Sequence, residues 1–165
     1  MNPVILCGWN QEPFADRLAG EAGLIVCRDQ ENFLTRLTEE PVQAVILAAE
    51  LTWSGKAPGA FYGFEMLCRL RGETGLGCPV VMASFMEGEW LRRRFPILDC
   101  QSHHPLVRLP APPQALRHAA MNAKPADRFR LHDLVRSYCD PQGRLLRLLT
   151  HGSGFRRLAA METRL

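Results

Sequence analysis

The chain has 165 residues, 47% of them hydrophobic and 22% charged, with a formal net charge of +3. That size suits one slightly large domain, or one domain with an appendage, and the apolar fraction fills a single core. No apolar run approaches the ~20 residues that cross a bilayer, and the N-terminus lacks the basic and apolar regions of a signal peptide, so a cytoplasmic protein without membrane contact is expected.

Charge is unevenly placed. Residues 124–165 hold nine Lys and Arg against four Asp and Glu, whereas residues 1–123 hold eleven against thirteen. The expected organisation is therefore a mildly acidic domain over residues 1–122 and a basic helical extension over 123–165. Basic tails attract nucleic acid and also acidic protein faces. The six cysteines, Cys7, Cys27, Cys68, Cys78, Cys100 and Cys139, include no Cys-x-x-Cys pair. Reduced thiols are expected, with Cys7, Cys27 and Cys68 on buried strands or helix faces.

In chain order, the first strand is expected at Pro3–Cys7, followed by a turn at Gly8-Trp9-Asn10. A helix begins near Pro13, with Phe14 and Leu18 inward and Gly20 near its end. The second strand is Gly23–Cys27. Asp29 is placed to cap a second helix whose stripe is Phe33, Leu34 and Leu37, and Pro41 closes that unit. The run Ala44-Val45-Ile46-Leu47-Ala48-Ala49-Glu50-Leu51 is short and nearly unbroken in its apolarity. It reads as a central strand buried on both faces, the kind found inside a parallel sheet.

The loop from Thr52 to Tyr62 is long for an α/β connection and reads as a surface insertion, in a position where loops also carry function. A third helix follows over Gly63–Arg71, with Phe64, Leu67 and Leu70 inward, and then a turn at Gly72–Gly77. The fourth strand is Pro79–Phe85. The fourth helix is Glu87–Phe95, with Trp90 and Leu91 against the core and Arg92, Arg93 and Arg94 outward. The fifth strand is Leu106–Leu109, and Pro110, Pro112 and Pro113 lead into a fifth helix ending near Asn122. The alternation argues for a doubly wound, flavodoxin-like α/β fold with a parallel five-stranded sheet. In the tail, Asp127 can cap a helix with Leu131, Leu134, Val135 and Tyr138 on one stripe, broken at Asp140-Pro141-Gln142-Gly143.

Three segments carry a resemblance. Ala44-Val45-Ile46-Leu47, then Gly63-Phe64-Glu65-Met66-Leu67-Cys68-Arg69-Leu70-Arg71, then Pro79-Val80-Val81-Met82-Ala83-Ser84 resemble the third strand, third helix and fourth strand of the receiver domain of bacterial response regulators. In that family, carboxylates after the first strand hold Mg²⁺ and an Asp ending the third strand accepts a phosphoryl group. A Ser or Thr ending the fourth strand and a Lys ending the fifth contact the phosphate. The chemistry needs hard oxygen ligands for Mg²⁺ and a cation against the added charge.

Carried onto this chain, the resemblance implies a degenerate pocket. The acidic pair falls on Gly8 and Trp9, or on Cys7 and Gly8, and the acceptor falls on Ala48. Ser84 matches. The Lys-Pro position falls on Leu109-Pro110, with Arg108 beside it as the one cation that a shift of the strand would bring in. Ala and Gly side chains neither bind metal nor carry phosphate, so the expectation is a pseudo-receiver with no catalytic residue, no metal and no cofactor. Glu50 lies two residues beyond Ala48 on the same strand face, roughly 6–7 Å further out. It reads as a solvated carboxylate at a strand end, or else as a fixed negative charge near the old pocket.

Other chemistry-bearing positions are weaker. Asp99, Cys100, His103 and His104 cluster before the fifth strand, but their spacing matches no zinc motif, and they read as a polar loop. Gly152-Ser153-Gly154 lacks the strand-turn-helix context of a nucleophile elbow. The segment Cys7–Pro13 is a poor phosphate-binding loop for a flavin. The expected function is a non-enzymatic protein-interaction or signalling module, binding a protein partner or a second copy. The tail stripe Leu131, Leu134, Val135 and Tyr138 is the candidate contact. The alternative is nucleic-acid binding by the basic tail, which lacks a recognition-helix motif.

Overall fold

A computed structural model describes residues 3–72, 76–95, 98 and 104–125. Among the described residues, five strands alternate with five helices: β1 (Val4–Gly8), α1 (Phe14–Ala19), β2 (Leu24–Cys27), α2 (Gln30–Glu39), β3 (Val42–Ala48), α3 (Tyr62–Gly72), β4 (Val80–Ser84), α4 (Gly88–Arg94), β5 (Leu106–Arg108) and α5 (Pro113–Asn122). Two short 3-10 turns, Trp53–Gly55 and Pro58–Ala60, occupy the loop between β3 and α3. The strands form one sheet in the order β2-β1-β3-β4-β5, and every pairing is parallel. This is the flavodoxin-like doubly wound order, in which the direction of winding reverses between β1 and β3.

The apolar run places β3 at the centre of the sheet, and Ala44 to Ala48 are buried because a central parallel strand is covered on both faces. Leu6, Ile46, Leu47, Phe64, Leu67 and Met82 form much of the surrounding core. Each such side chain contributes roughly 1.5–3 kcal/mol by leaving water. Local signals set the helix ends where expected. The Asp29 carboxylate accepts from the Asn32 amide at 2.8 Å and caps α2, and Gly20 follows the last residue of α1. Cys7 and Cys27 are buried free thiols, whereas Cys68 and Cys78 are half-buried.

One strand end is set more closely, and one expectation is corrected. β3 ends at Ala48, the strand-end position to which the resemblance assigns the acceptor, so the apolar run continues three residues past the strand. The Ala49 amide still donates to the Ala83 carbonyl at 2.8 Å, but the Ala49 carbonyl accepts from Gly63 at the start of α3, at 3.1 Å. With that group taken by a helix, the ladder stops, and Glu50 and Leu51 leave the sheet while remaining buried. On α4, Leu91 is buried as expected, but Trp90 is 39% exposed. Neighbours on a helix point about 100° apart, so the two residues do not share one inward direction. Trp90 lies along the rim of the core, its ring 5.6 Å from Phe61.

The tail stripe Leu131, Leu134, Val135 and Tyr138, and also Asp99, Cys100 and His103, lie outside the described residues. Among the described residues, no helix is long and apolar enough to cross a membrane.

Candidate functional site

The carboxyl ends of β1, β3, β4 and β5 bring Gly8, Ala48, Ser84 and Arg108 to one edge of the sheet, with Leu109 just beyond. Open α/β sheets place ligands at this edge, beside the switch in winding. In this protein the switch is closed. Gly8 pairs in register with Leu47, and Trp53 lies over the pair. A Cβ added at Gly8 would stand 2.7 Å from Leu47 Cδ2 and 2.9 Å from Trp53 Cη2. Trp53 is anchored there: its indole N–H donates to the Arg28 carbonyl at 2.8 Å and its ring packs 5.4 Å from Phe33. Where a carboxylate would hang over the sheet, the chain therefore has a glycine and an indole.

Trp9 turns away from any polar role. It is fully buried, 4.9 Å from the Phe14 ring, and its indole N–H has no hydrogen-bond partner among the described residues. Ala48 is buried under the first turn of α3, where a Cβ on Gly63 would come within 2.1 Å of the Ala48 carbonyl oxygen. Only a glycine permits that approach, which fastens the β3 end to α3.

Glu50 is the principal correction at the site. It is 8% exposed rather than solvated. Its Oε1 accepts from the Ser84 hydroxyl, and also from the Phe85 amide at 3.1 Å. The Ser84 oxygen in turn accepts from the Met86 amide at 3.0 Å. Oε2 is buried without a hydrogen-bond partner among the described residues. The loop carrying Glu50 is held from the other side as well. Gln11 donates to the Glu50 carbonyl at 3.1 Å, and the Asn10 side-chain amide donates to the Thr52 hydroxyl. Neutral amides after β1 thus tie the β1 and β3 loops together.

Arg108 is exposed at the end of β5, in register with Ser84, and Leu109 is buried, its amide donating to the Ser84 carbonyl at 2.8 Å. The strand does not shift to bring Arg108 inward. The site can therefore orient backbone and hold a buried carboxylate. Among the described residues, no group of three or more His, Cys, Asp or Glu is placed to hold a metal ion.

Sequence reasoning missed two features. Trp53, in a loop read as an insertion, seals the pocket; its signal was a large aromatic in a Gly- and Pro-rich loop. His104, read with a polar loop, is buried and accepts from the equally buried Arg71.

No protein-family profile matches the chain. No curated protein matches it either. Among solved structures, it is similar to the chemotaxis response regulator CheY4 of Vibrio cholerae, with a TM-score of 0.51 and 10% identity over 73% of this chain and 98% of that one. It is also similar to NtrX from Brucella abortus in complex with ATP, with a TM-score of 0.49 and 18% identity over 73% of this chain and 26% of that one. At such identities the likeness concerns fold alone: the chain has a receiver-like, flavodoxin-like fold.

Proposed function

We propose that this chain is a degenerate receiver-like domain that works by binding a protein partner and not by phosphoryl transfer. The observation that carries the reading is the Glu50 carboxylate on Ser84. In the receiver family, the Ser or Thr that ends the fourth strand contacts the phosphoryl group. Here Ser84 is occupied by a carboxylate belonging to the chain itself. Ala48 at the acceptor position, and Gly8 under Trp53 at the metal position, support the same reading. The built-in carboxylate gives the β4 end a permanent acceptor, so the binding surface does not wait for a signal at this site.

The test is chemical. Incubated with Mg²⁺ and either acetyl phosphate or beryllofluoride, the protein should keep its mass and its tryptophan emission. A stable phosphoryl adduct, or saturable Mg²⁺-dependent quenching, overturns the proposal.

A further inference from the structure

Arg71, in the last turn of α3, and His104, just before β5, are each 2% exposed, a rare burial for an arginine. Nε and Nη2 of the guanidinium both face Nε2 of the imidazole at 3.4 Å. Nη1 donates to the carbonyls of Leu76 and Cys78, each at 2.7 Å. On the other side of the ring, Nδ1 faces the Leu98 carbonyl at 3.3 Å. An arginine has no acceptor, so the imidazole meets it with a bare nitrogen and carries its proton on Nδ1. Leu76 and Cys78 precede β4, His104 precedes β5, and the two strands run parallel. The cluster therefore closes the amino edge of the sheet, opposite the edge that holds Ser84 and Glu50.

Three elements press charged or titratable groups on this cluster. α3 contributes Arg71. The segment entering β4 contributes the Cys78 thiol, whose pKa burial raises and Arg71 partly lowers. α4 contributes Arg92, whose guanidinium donates to the His104 carbonyl at 3.2 Å. Of these groups and the ring they surround, only the imidazole ordinarily titrates close to neutrality. A proton added to it goes on Nε2, the nitrogen that Arg71 occupies. That proton turns the acceptor into a donor and the ring into a second cation. Two like charges repel, and more strongly in a buried contact than in water. The protonated ring is accommodated when the guanidinium leaves, and the bond joining the entries of β4 and β5 leaves with it.

We infer that Arg71 and His104 form a proton-sensitive latch: neutral His104 keeps it shut, and protonation of Nε2 opens it and loosens β5 from β4. The latch is independent of the protein-binding reading above, since it uses the other edge of the sheet. Its sign follows from the neutral ring in the shut form. The latch is shut above about pH 6.5, the ordinary imidazole value, and opens as pH falls below it. One proton is taken up on opening, so the open fraction rises by up to about tenfold per pH unit.

The experiment follows amide hydrogen exchange of the full chain by NMR from about pH 7.5 to about pH 5, with each rate corrected for the intrinsic effect of pH. The Met82 amide donates to the Pro105 carbonyl at 2.9 Å and reports the β4–β5 rung beside His104. The Ile5 amide donates to the Gly23 carbonyl at 3.1 Å and reports the far side of the sheet. Met82 should lose up to about tenfold in protection per pH unit below about pH 6.5, while Ile5 keeps its protection. His104→Gln retains an acceptor and takes up no proton, so it should abolish the loss. His118→Gln, at an exposed position of α5, should retain the loss, and so should Asp99→Asn. Where His104→Gln does not fold, the imidazole nitrogen shifts of the unsubstituted protein carry the test. His104 should hold its proton on Nδ1 at about pH 7.5 and gain the second over the range in which Met82 loses protection. Constant protection at Met82, equal loss at Ile5, an acid response that survives His104→Gln or disappears in His118→Gln or Asp99→Asn, or a doubly protonated His104 at about pH 7.5 overturns the latch.

Discussion

The Arg71 guanidinium donates to Nε2 of His104 at 3.4 Å, and both side chains are sealed from solvent. Arg71 also donates from Nη1 to the carbonyls of Leu76 and Cys78, each at 2.7 Å. An arginine only donates, so Nε2 is the acceptor nitrogen, and Nδ1 carries the proton facing the Leu98 carbonyl at 3.3 Å. One side chain at the end of α3 therefore fastens the segment entering β4 to the segment entering β5. Burial lowers the Arg71 pKa from its ordinary value, which the nearby Cys78 partly offsets.

Arg71→Ala should leave two carbonyls and an imidazole without their donor. The expected cost is about 2–4 kcal/mol, against well under 1 kcal/mol for Arg93→Ala on the exposed face of α4. Urea unfolding of both variants checks this. Equal midpoints for the two would remove the clamp from the account of stability.

Gly8 and Trp53 should behave as a coupled pair. Gly8→Ala places a methyl group against the indole and Leu47, with an expected cost of about 1–3 kcal/mol. With Trp53 already replaced by Ala, the same change at Gly8 should cost much less. A double-mutant cycle reads the difference directly, and strictly additive effects would show that the indole does not close this edge.

The buried thiols predict alkaline sensitivity. Burial pushes the Cys27 pKa up to about 11, with Arg36 pulling it down and Asp29 pushing it up, and burial drives Cys7 further in the same direction. Between roughly pH 8.5, where an unfolded thiol titrates, and pH 11, the unfolded chain has released a proton that the folded chain retains. Stability therefore falls as pH rises through that window. Cys27→Ala should flatten the slope of unfolding free energy against pH from 9 to 11. In the folded protein at pH 8, Cys7 and Cys27 should resist iodoacetamide until urea exposes them.

The tail supplies a separate contrast. If the stripe Leu131, Leu134, Val135 and Tyr138 is a contact, Leu134→Asp forces a charge into an apolar contact. Arg136→Ala should do less, because the helical spacing 131, 134, 135 and 138 leaves position 136 out of the stripe. Pull-down and sedimentation of both variants should show the larger loss for Leu134→Asp at unchanged melting temperature. Binding through the basic charges of residues 124–165 to nucleic acid would instead show a steep fall in affinity with salt.

What the sequence determined by itself is local and periodic. The unbroken apolar run names β3, Asp29 names the start of α2, and the spacing of runs and helical stripes names a parallel α/β sheet. Registering those strands puts Gly8, Ala48 and Ser84 at one edge without any knowledge of contacts. What only the tertiary structure decided is which side chains meet across long separations. Glu50 reaches Ser84 because β3 stops at Ala48, and it stops there because Gly63 of α3 takes the Ala49 carbonyl. Trp53 covers Gly8 because a loop of no fixed period finds its anchor on Arg28 and Phe33. Trp90 is exposed because Leu91, one position on, fills the core side of α4. Periodicity encodes the direction a residue faces within its own element, whereas the partner it meets there depends on sheet order and on where each strand ends.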